Sequence, residues 1–258
     1  MSNSGLVTYS RPISKHSNRK YSIDTITIHC FVGQVTAKQG CDYFANNGKD
    51  NSAQYIVGFD GSIGLCVEEK YRAWTTGGSF KNNGYTGAEN DHHAITIECA
   101  SDATAPYAIT TQAYVALIDL CTDICRRNGI KKLVWTTNKQ DRIYRRNGAN
   151  LTVHRDYDAR SCPGDYIYNR LGDIANQVNA RLGGASIPEP TAPIKPPIPY
   201  LVKIATDVLN VRAGVGTNYK INTTVKRNQV YTIVDEINGW GKLKSGAGWI
   251  CLAYTIRC

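Results

Sequence analysis

Four residues of this 258-residue chain have the types that metal-assisted hydrolysis requires: His29, Glu98, His154 and Cys162. The first three sit at or near the ends of short β-branched runs, Ile26-Thr27-Ile28-His29-Cys30, Ala94-Ile95-Thr96-Ile97-Glu98 and Leu151-Thr152-Val153-His154. Runs of this composition read as strands. Side chains alternate faces along a strand, so the isoleucines, Leu151 and Val153, with Cys30 and Cys99, form one apolar face. Thr27 with His29, Thr96 with Glu98 and Thr152 with His154 fall on the other. Three strands of one sheet would therefore set a histidine, a glutamate and a second histidine on a common polar face. Cys162 follows His154 by eight residues, in His154-Arg155-Asp156-Tyr157-Asp158-Ala159-Arg160-Ser161-Cys162-Pro163-Gly164. Two imidazoles and a thiolate suit Zn²⁺, and three protein ligands leave a fourth position for water, the arrangement of a catalytic rather than a structural site.

Taken alone, His29 reads as a histidine satisfied inside a sheet and Glu98 as a surface carboxylate; their matching contexts are what favour a site. His92-His93 looks like a metal pair, but neighbours on a strand point to opposite faces and do not share one ion. Cys121 and Cys125 lie on an apolar helical stripe and read as core.

The elements that must position these residues are mixed. Beside the three runs above, Gln54-Tyr55-Ile56-Val57-Gly58 reads as a fourth strand. Tyr114, Leu117, Ile118, Cys121, Ile124 and Cys125 recur with helical spacing behind the possible cap Thr110-Thr111 and stop at Arg126-Arg127-Asn128-Gly129. Ile167, Leu171, Ile174, Val178 and Leu182 make a second amphipathic helix ending at Gly183-Gly184. Six of the nine prolines fall within Pro188 to Pro199, an extended spacer. The predicted organisation is thus 1–187, an α/β domain carrying the site; 188–199, a proline-rich linker; and 200–258, short β runs with turn signals at Ala213-Gly214-Val215-Gly216 and Asn238-Gly239 that read as a small β-barrel.

Composition narrows the function classes. Hydrophobic residues at 42% and charged residues at 20% exclude a disordered or collagenous chain. No run approaches the roughly 18 to 20 apolar residues of a membrane span. The first twenty residues lack the apolar stretch of a secretory signal, so export by that route is not expected. Nine cysteines, an odd number set mostly in apolar patterns, fit free thiols in a reducing compartment better than a disulfide framework. The net charge of +9 favours an anionic partner. It is densest in 200–258, where eight Lys/Arg stand against three Asp/Glu.

From about Asp24 to Gly183, the strand ending in His29, the Ile95-Thr96-Ile97-Glu98 strand and the His154-to-Cys162-Pro163 segment resemble the zinc-dependent N-acetylmuramoyl-L-alanine amidases of the peptidoglycan-recognition-protein superfamily, especially bacteriophage and prophage endolysins. The resemblance implies a mixed β-sheet flanked by helices, His29, His154 and Cys162 as Zn²⁺ ligands, and Glu98 as the catalytic carboxylate. Arg160 stands where some members carry lysine, so it is the expected stabiliser of a developing oxyanion. Two positions depart from the pattern. Ala53 replaces a tyrosine that some members carry, with Tyr55 the candidate substitute, and Trp74-Thr75 replaces Trp-His, leaving Trp74 to stack on substrate. Leu209-Asn210-Val211-Arg212 and Gly239-Trp240 resemble a bacterial SH3-type wall-binding domain.

The implied activity is hydrolysis of the amide joining N-acetylmuramic acid to L-alanine. The implied partners are peptidoglycan and anionic wall polymers, which the basic cluster Lys139, Arg142, Arg145 and Arg146 would touch unless it is simply solvated. The expected setting is synthesis in the cytoplasm, with the wall reached after membrane breach; a host autolysin is the alternative. A recognition module that binds without cutting would be expected to lack Cys162. No recognised motif supports nucleic-acid binding.

Overall fold

The computed structural model describes residues 2–77, 85–183, 198–216, 219–237 and 239–258. The chain folds as two compact units, Met1–Pro188 and Glu189–Cys258. The proline-rich stretch lies outside the described residues as far as residue 197, as does Asn238.

The first unit runs β1 (Tyr9–Ser10), β2 (His16–Asn18), β3 (Thr25–Cys30), α1 (Ala37–Asn46), β4 (Tyr55–Val57), β5 (Ile63–Leu65), β6 (Tyr71–Ala73), α2 (Gly87–His93), β7 (Ala94–Cys99), α3 (Thr111–Arg127), α4 (Lys139–Ile143), β8 (Leu151–Val153), α5 (Gly164–Tyr168) and α6 (Leu171–Leu182). Among the described residues the main sheet has the order β1-β5-β4-β7-β3-β8, and β2 pairs separately with β6. β3 is parallel to both β7 and β8, and β7 is parallel to β4, whereas β4 and β5 are antiparallel. The result is a mixed α/β sheet with helices on both faces.

On one face Ile26, Ile28, Ile95, Ile97, Leu151 and Val153 pack with residues of α3 and α6 into the principal core. Thr110 caps α3, its hydroxyl accepting from Ala113 N at 3.1 Å. Cys121 and Cys125 are fully buried on the helix's apolar side, as expected. On the other face α1 covers β4 through Cys41, Phe44 and Ile56. A Cβ on Gly40 would lie 2.6 Å from Ile56 Cγ2, so the close approach of helix to strand requires glycine there. The helix read as one run from Ile167 to Leu182 is two, α5 and α6.

Two buried ionic groups tie elements together. Glu69, 1% exposed, takes both ends of the Arg127 guanidinium (2.6 and 2.8 Å) and the Tyr55 hydroxyl (2.5 Å), which in turn accepts from Ser4 N. Arg142 is not part of a solvated cluster. It is buried, paired with Asp156 through Nε (2.9 Å) and Nη2 (2.5 Å), and lies 4.3 Å from the centre of the Trp135 ring. Arg145 donates to Tyr85 Oη at 2.8 Å and also meets His93 Nε2.

The second unit is all antiparallel: β9 (Tyr200–Ile204), β10 (Val208–Arg212), β11 (Ile221–Lys226), β12 (Val230–Ile237), β13 (Trp240–Leu243), β14 (Trp249–Cys251) and β15 (Thr255–Arg257), in the order β11-β10-β14-β13-β12-β9-β15. Its core holds Val202, Ile204, Val211, Ile233, Leu243 and Ile250. Ile237 pairs with Trp240, and Gly239 at φ 76° takes the left-handed conformation that a tight hairpin turn needs. Trp240 is half-buried. No helix among the described residues is long and apolar enough to cross a membrane.

Removing one partner of a buried ion pair strands the other charge. Arg142→Met should lower the unfolding free energy of the first unit by about 3–5 kcal/mol, read from the urea midpoint; an unchanged midpoint would show that Asp156 finds its charge compensation elsewhere.

Candidate active site

Parallel pairing sets the site. The register places His29 opposite Glu98, and Ile28 opposite Val153, so His154 emerges level with His29 at the carboxyl ends of β3, β7 and β8. Ligands in open α/β sheets bind at such edges. β8 ends at Val153, and His154 opens a 3₁₀ turn rather than extending the strand. The chain then loops back: Arg155 N donates to Cys162 O at 3.1 Å, and the Arg155 guanidinium bonds Ser161 O and Asp165. That closure brings Cys162 to the end of β3, where Cys30 N donates to its sulfur at 3.4 Å.

His29, His154 and Cys162 offer ligand atoms that all lie within 4.8 Å of one another. Cys162 Sγ stands 3.6 Å from His29 Nδ1. A tetrahedral ion with Zn–N of about 2.1 Å and Zn–S of about 2.3 Å would separate its N and S ligands by about 3.6 Å, so the donor set fits zinc in type and the His29–Cys162 pair fits it in spacing. Both histidines suit ligation, which requires the neutral ring. Burial, reinforced by the neighbouring His154, drives His29 well below the usual histidine range; burial and then Arg160 bring His154 to about 4. Burial pushes the Cys162 thiol well up, and a cation would supply the charge that favours its thiolate.

Glu98 faces the same cleft, a cavity of about 700 Å³ that Cys30, Arg72, Trp74, Asp91, His154 and Arg160 also help to line. Its Oε2 is buried without a hydrogen-bond partner among the described residues, and burial, with Cys30 adding to it, raises its carboxyl well above the ordinary range. A carboxyl tuned upward and aimed into a cleft is equipped to exchange protons with water. Arg160 stands on the rim, exposed, its Nε 2.7 Å from Asp158 Oδ2.

Tyr55 does not take the place of the missing tyrosine. β4 pairs Tyr55 with Ile97 and Ile56 with Glu98, which puts Tyr55 on the core face, where its hydroxyl is committed to Glu69. Thr75 turns its hydroxyl to Ser52 O and Thr96 Oγ1, both at 2.6 Å, while Trp74 remains half-buried at the cleft. His92 and His93 end a helix, α2, rather than lying on a strand. Their rings meet Lys20 N and Arg72, and Asp24 and Arg145, respectively.

Strand parity assigns Cys30 to the core, yet it also lines the cleft, because it is the last residue of β3 and the chain turns at Val32, φ 61°. The polar face below the cleft is a hydrogen-bonded layer that sequence reading missed. Thr27 Oγ1 lies 2.7 Å from Thr152 Oγ1 and accepts from Asn90 Nδ2 at 2.8 Å, and Tyr157 Oη donates to Asn90 Oδ1 at 3.0 Å. The threonines alternating with isoleucine are its visible signal.

Among solved structures, the Staphylococcus aureus hydrolase AmiA in complex with its ligand aligns over 73% of this chain and 89% of its own at 16% identity, with a TM-score of 0.51, and has the same fold. PlyL (17% identity; 66% of this chain and 95% of that one; TM-score 0.46) and the Ph2119 endolysin from Thermus scotoductus MAT2119 bacteriophage Ph2119 (15%; 63% and 90%; 0.42) also align. No curated protein matches the chain. Residues 19–165 match the Amidase_2 family, N-acetylmuramoyl-L-alanine amidase, and the chain belongs to that family.

Titrated against a chromophoric chelator, the chain should take up one Zn²⁺. Cys162→Ser should weaken that binding by more than about tenfold, the loss typical of removing even an outer partner of a metal site; equal binding would take Cys162 out of the ligand set.

Proposed function

We propose that the protein is a zinc-dependent peptidoglycan hydrolase that cleaves the amide between N-acetylmuramic acid and L-alanine, and that it acts as a phage or prophage lysin of the bacterial wall. The observation that carries the reading is the cluster of His29, His154 and Cys162 donors at the cleft that Glu98 also lines, its Oε2 buried with no hydrogen-bond partner among the described residues. Family membership supplies the substrate class.

His29, His154 and Cys162 would hold the ion. Bound there, Zn²⁺ supplies Lewis acidity toward the scissile carbonyl and lowers the pKa of water to about 7. Glu98 accepts the proton of the attacking water and returns it to the leaving L-alanine nitrogen. Arg160 stays protonated throughout, so it can stabilise negative charge on the carbonyl oxygen but not donate a proton. It lines the cleft from the rim, where Asp158 holds its Nε. Trp74 offers an aromatic wall for a sugar or muropeptide.

In this reading, residues 1–187 form the catalytic domain and 188–199 a linker. Residues 200–258 form an SH3-type domain whose basic surface holds the enzyme on the wall, raising its concentration at the substrate. The small antiparallel unit and its eight Lys/Arg support this. The enzyme would be made in the cytoplasm and reach the wall once the membrane is breached.

Purified protein incubated with Gram-positive peptidoglycan, with and without chelator, should release stem peptides carrying a free L-alanine amine, identified by mass spectrometry. Chelation should stop release and Zn²⁺ restore it. Wall binding without release from several peptidoglycan types would leave a recognition module instead. Glu98→Gln should keep zinc while losing about 10²- to 10⁴-fold in turnover; near-normal turnover would remove Glu98 from proton transfer.

A further inference from the structure

A histidine presents one ring nitrogen to a metal reliably only when its other nitrogen is engaged, because that contact selects the tautomer and the ring orientation. In His29 the nitrogen facing Cys162 is Nδ1, which leaves Nε2 to be satisfied. The group beside Nε2 is the hydroxyl of Thr76, 3.4 Å away, on a side chain 1% exposed. Thr76, outside the ligand set, is thus the neighbour of the second His29 nitrogen.

Thr76 is itself held from several directions. The buried carboxylate of Asp91 accepts from Thr75 N at 3.0 Å and from Thr76 N at 2.8 Å, both at Oδ2. Ala88 N donates to Gly77 O at 3.0 Å. The first residue of α2 is Gly87, and a Cβ there would lie 2.3 Å from Gly77 O and 2.7 Å from Thr76 Cγ2. Helix α2 is thus pressed directly onto the segment that carries Thr76, with no side chain between.

Resting on the metal-site reading above, we propose that Thr76 is a positioning residue: its hydroxyl accepts the Nε2–H of His29 and so fixes the tautomer that leaves Nδ1 free for a divalent cation. Thr76 lines the cleft but lies outside the ligand set. Its effect passes through His29.

Two substitutions in the full-length chain separate this role from simple packing. Thr76→Val keeps the shape and loses the hydroxyl; Thr76→Ser keeps the hydroxyl and loses the methyl. The first readout is the His29 tautomer in metal-free protein, from long-range ¹H–¹⁵N correlation of the imidazole. The wild type and Thr76→Ser should show the Nε2–H form, and Thr76→Val a mixture. The second is Zn²⁺ affinity by chelator competition, which should fall about 10- to 100-fold in Thr76→Val and stay near the wild-type value in Thr76→Ser. Unchanged tautomer and affinity in Thr76→Val, or an equal fall in both variants, would overturn the proposal. A wild-type chain that takes up no zinc would instead defeat the metal-site reading, and the tautomer measurement would still decide whether Thr76 orients His29.

Discussion

The candidate active site depends first on the parallel pairing of β3 with both of its neighbours. Evenly spaced parallel hydrogen bonds bring three carboxyl ends to one edge in step, and the register puts His29 beside Glu98 with His154 one residue past Val153. A slip of one residue in either pairing would send the titratable side chain into the apolar core and a branched aliphatic into the cleft. The isoleucines packed beneath α3 and α6 guard against that slip. The hydrophobic core thus secures both the fold and the alignment of the candidate catalytic groups.

The opposite face poses a different problem. Thr27, Thr96, Thr152 and Asn90 are fully buried, and a buried polar group without a partner costs about 1–3 kcal/mol. Thr27, Thr152 and Asn90 satisfy one another and Tyr157, while Thr96 bonds Gln54 and Thr75, so the layer under the cleft is polar and hydrogen-bonded rather than a second apolar core. Such a network fixes side-chain positions more narrowly than aliphatic packing does. The departures from it are informative: Glu98 Oε2 and Asp91 Oδ1 are buried without partners among the described residues, and both residues line the cleft.

Alternation of β-branched residues with threonine, histidine and glutamate makes the three central strands and their polar face readable from sequence, and the His154-to-Cys162 segment carries the remaining donor. What escapes reading depends on partners distant in the chain. Arg142 looks solvated in sequence because Asp156 and Trp135, which bury it, lie on other elements. Helix α2 is only seven residues long and rich in polar groups, so its sequence Gly-Ala-Glu-Asn-Asp-His-His shows no helical stripe, and the two histidines read as strand residues. Parity keeps Cys30 out of the cleft because it says nothing about where a strand stops. The part Thr76 plays follows from Asp91 and Gly87, neither of which advertises a site by type or spacing.

His29 and Cys162 are separated by 133 positions in the chain. In an unfolded chain only His154 and Cys162 are near enough in sequence to act together as a chelate, and bringing in His29 means closing a very long loop at an entropic cost of several kcal/mol, on the order of that for a long disulfide loop. In the folded chain the sheet and the His154-to-Cys162 loop hold the three donors together. A cation held by all three donors would therefore favour the native state over the unfolded one, and by mass action its free concentration would become one of the variables that set the stability of the first unit.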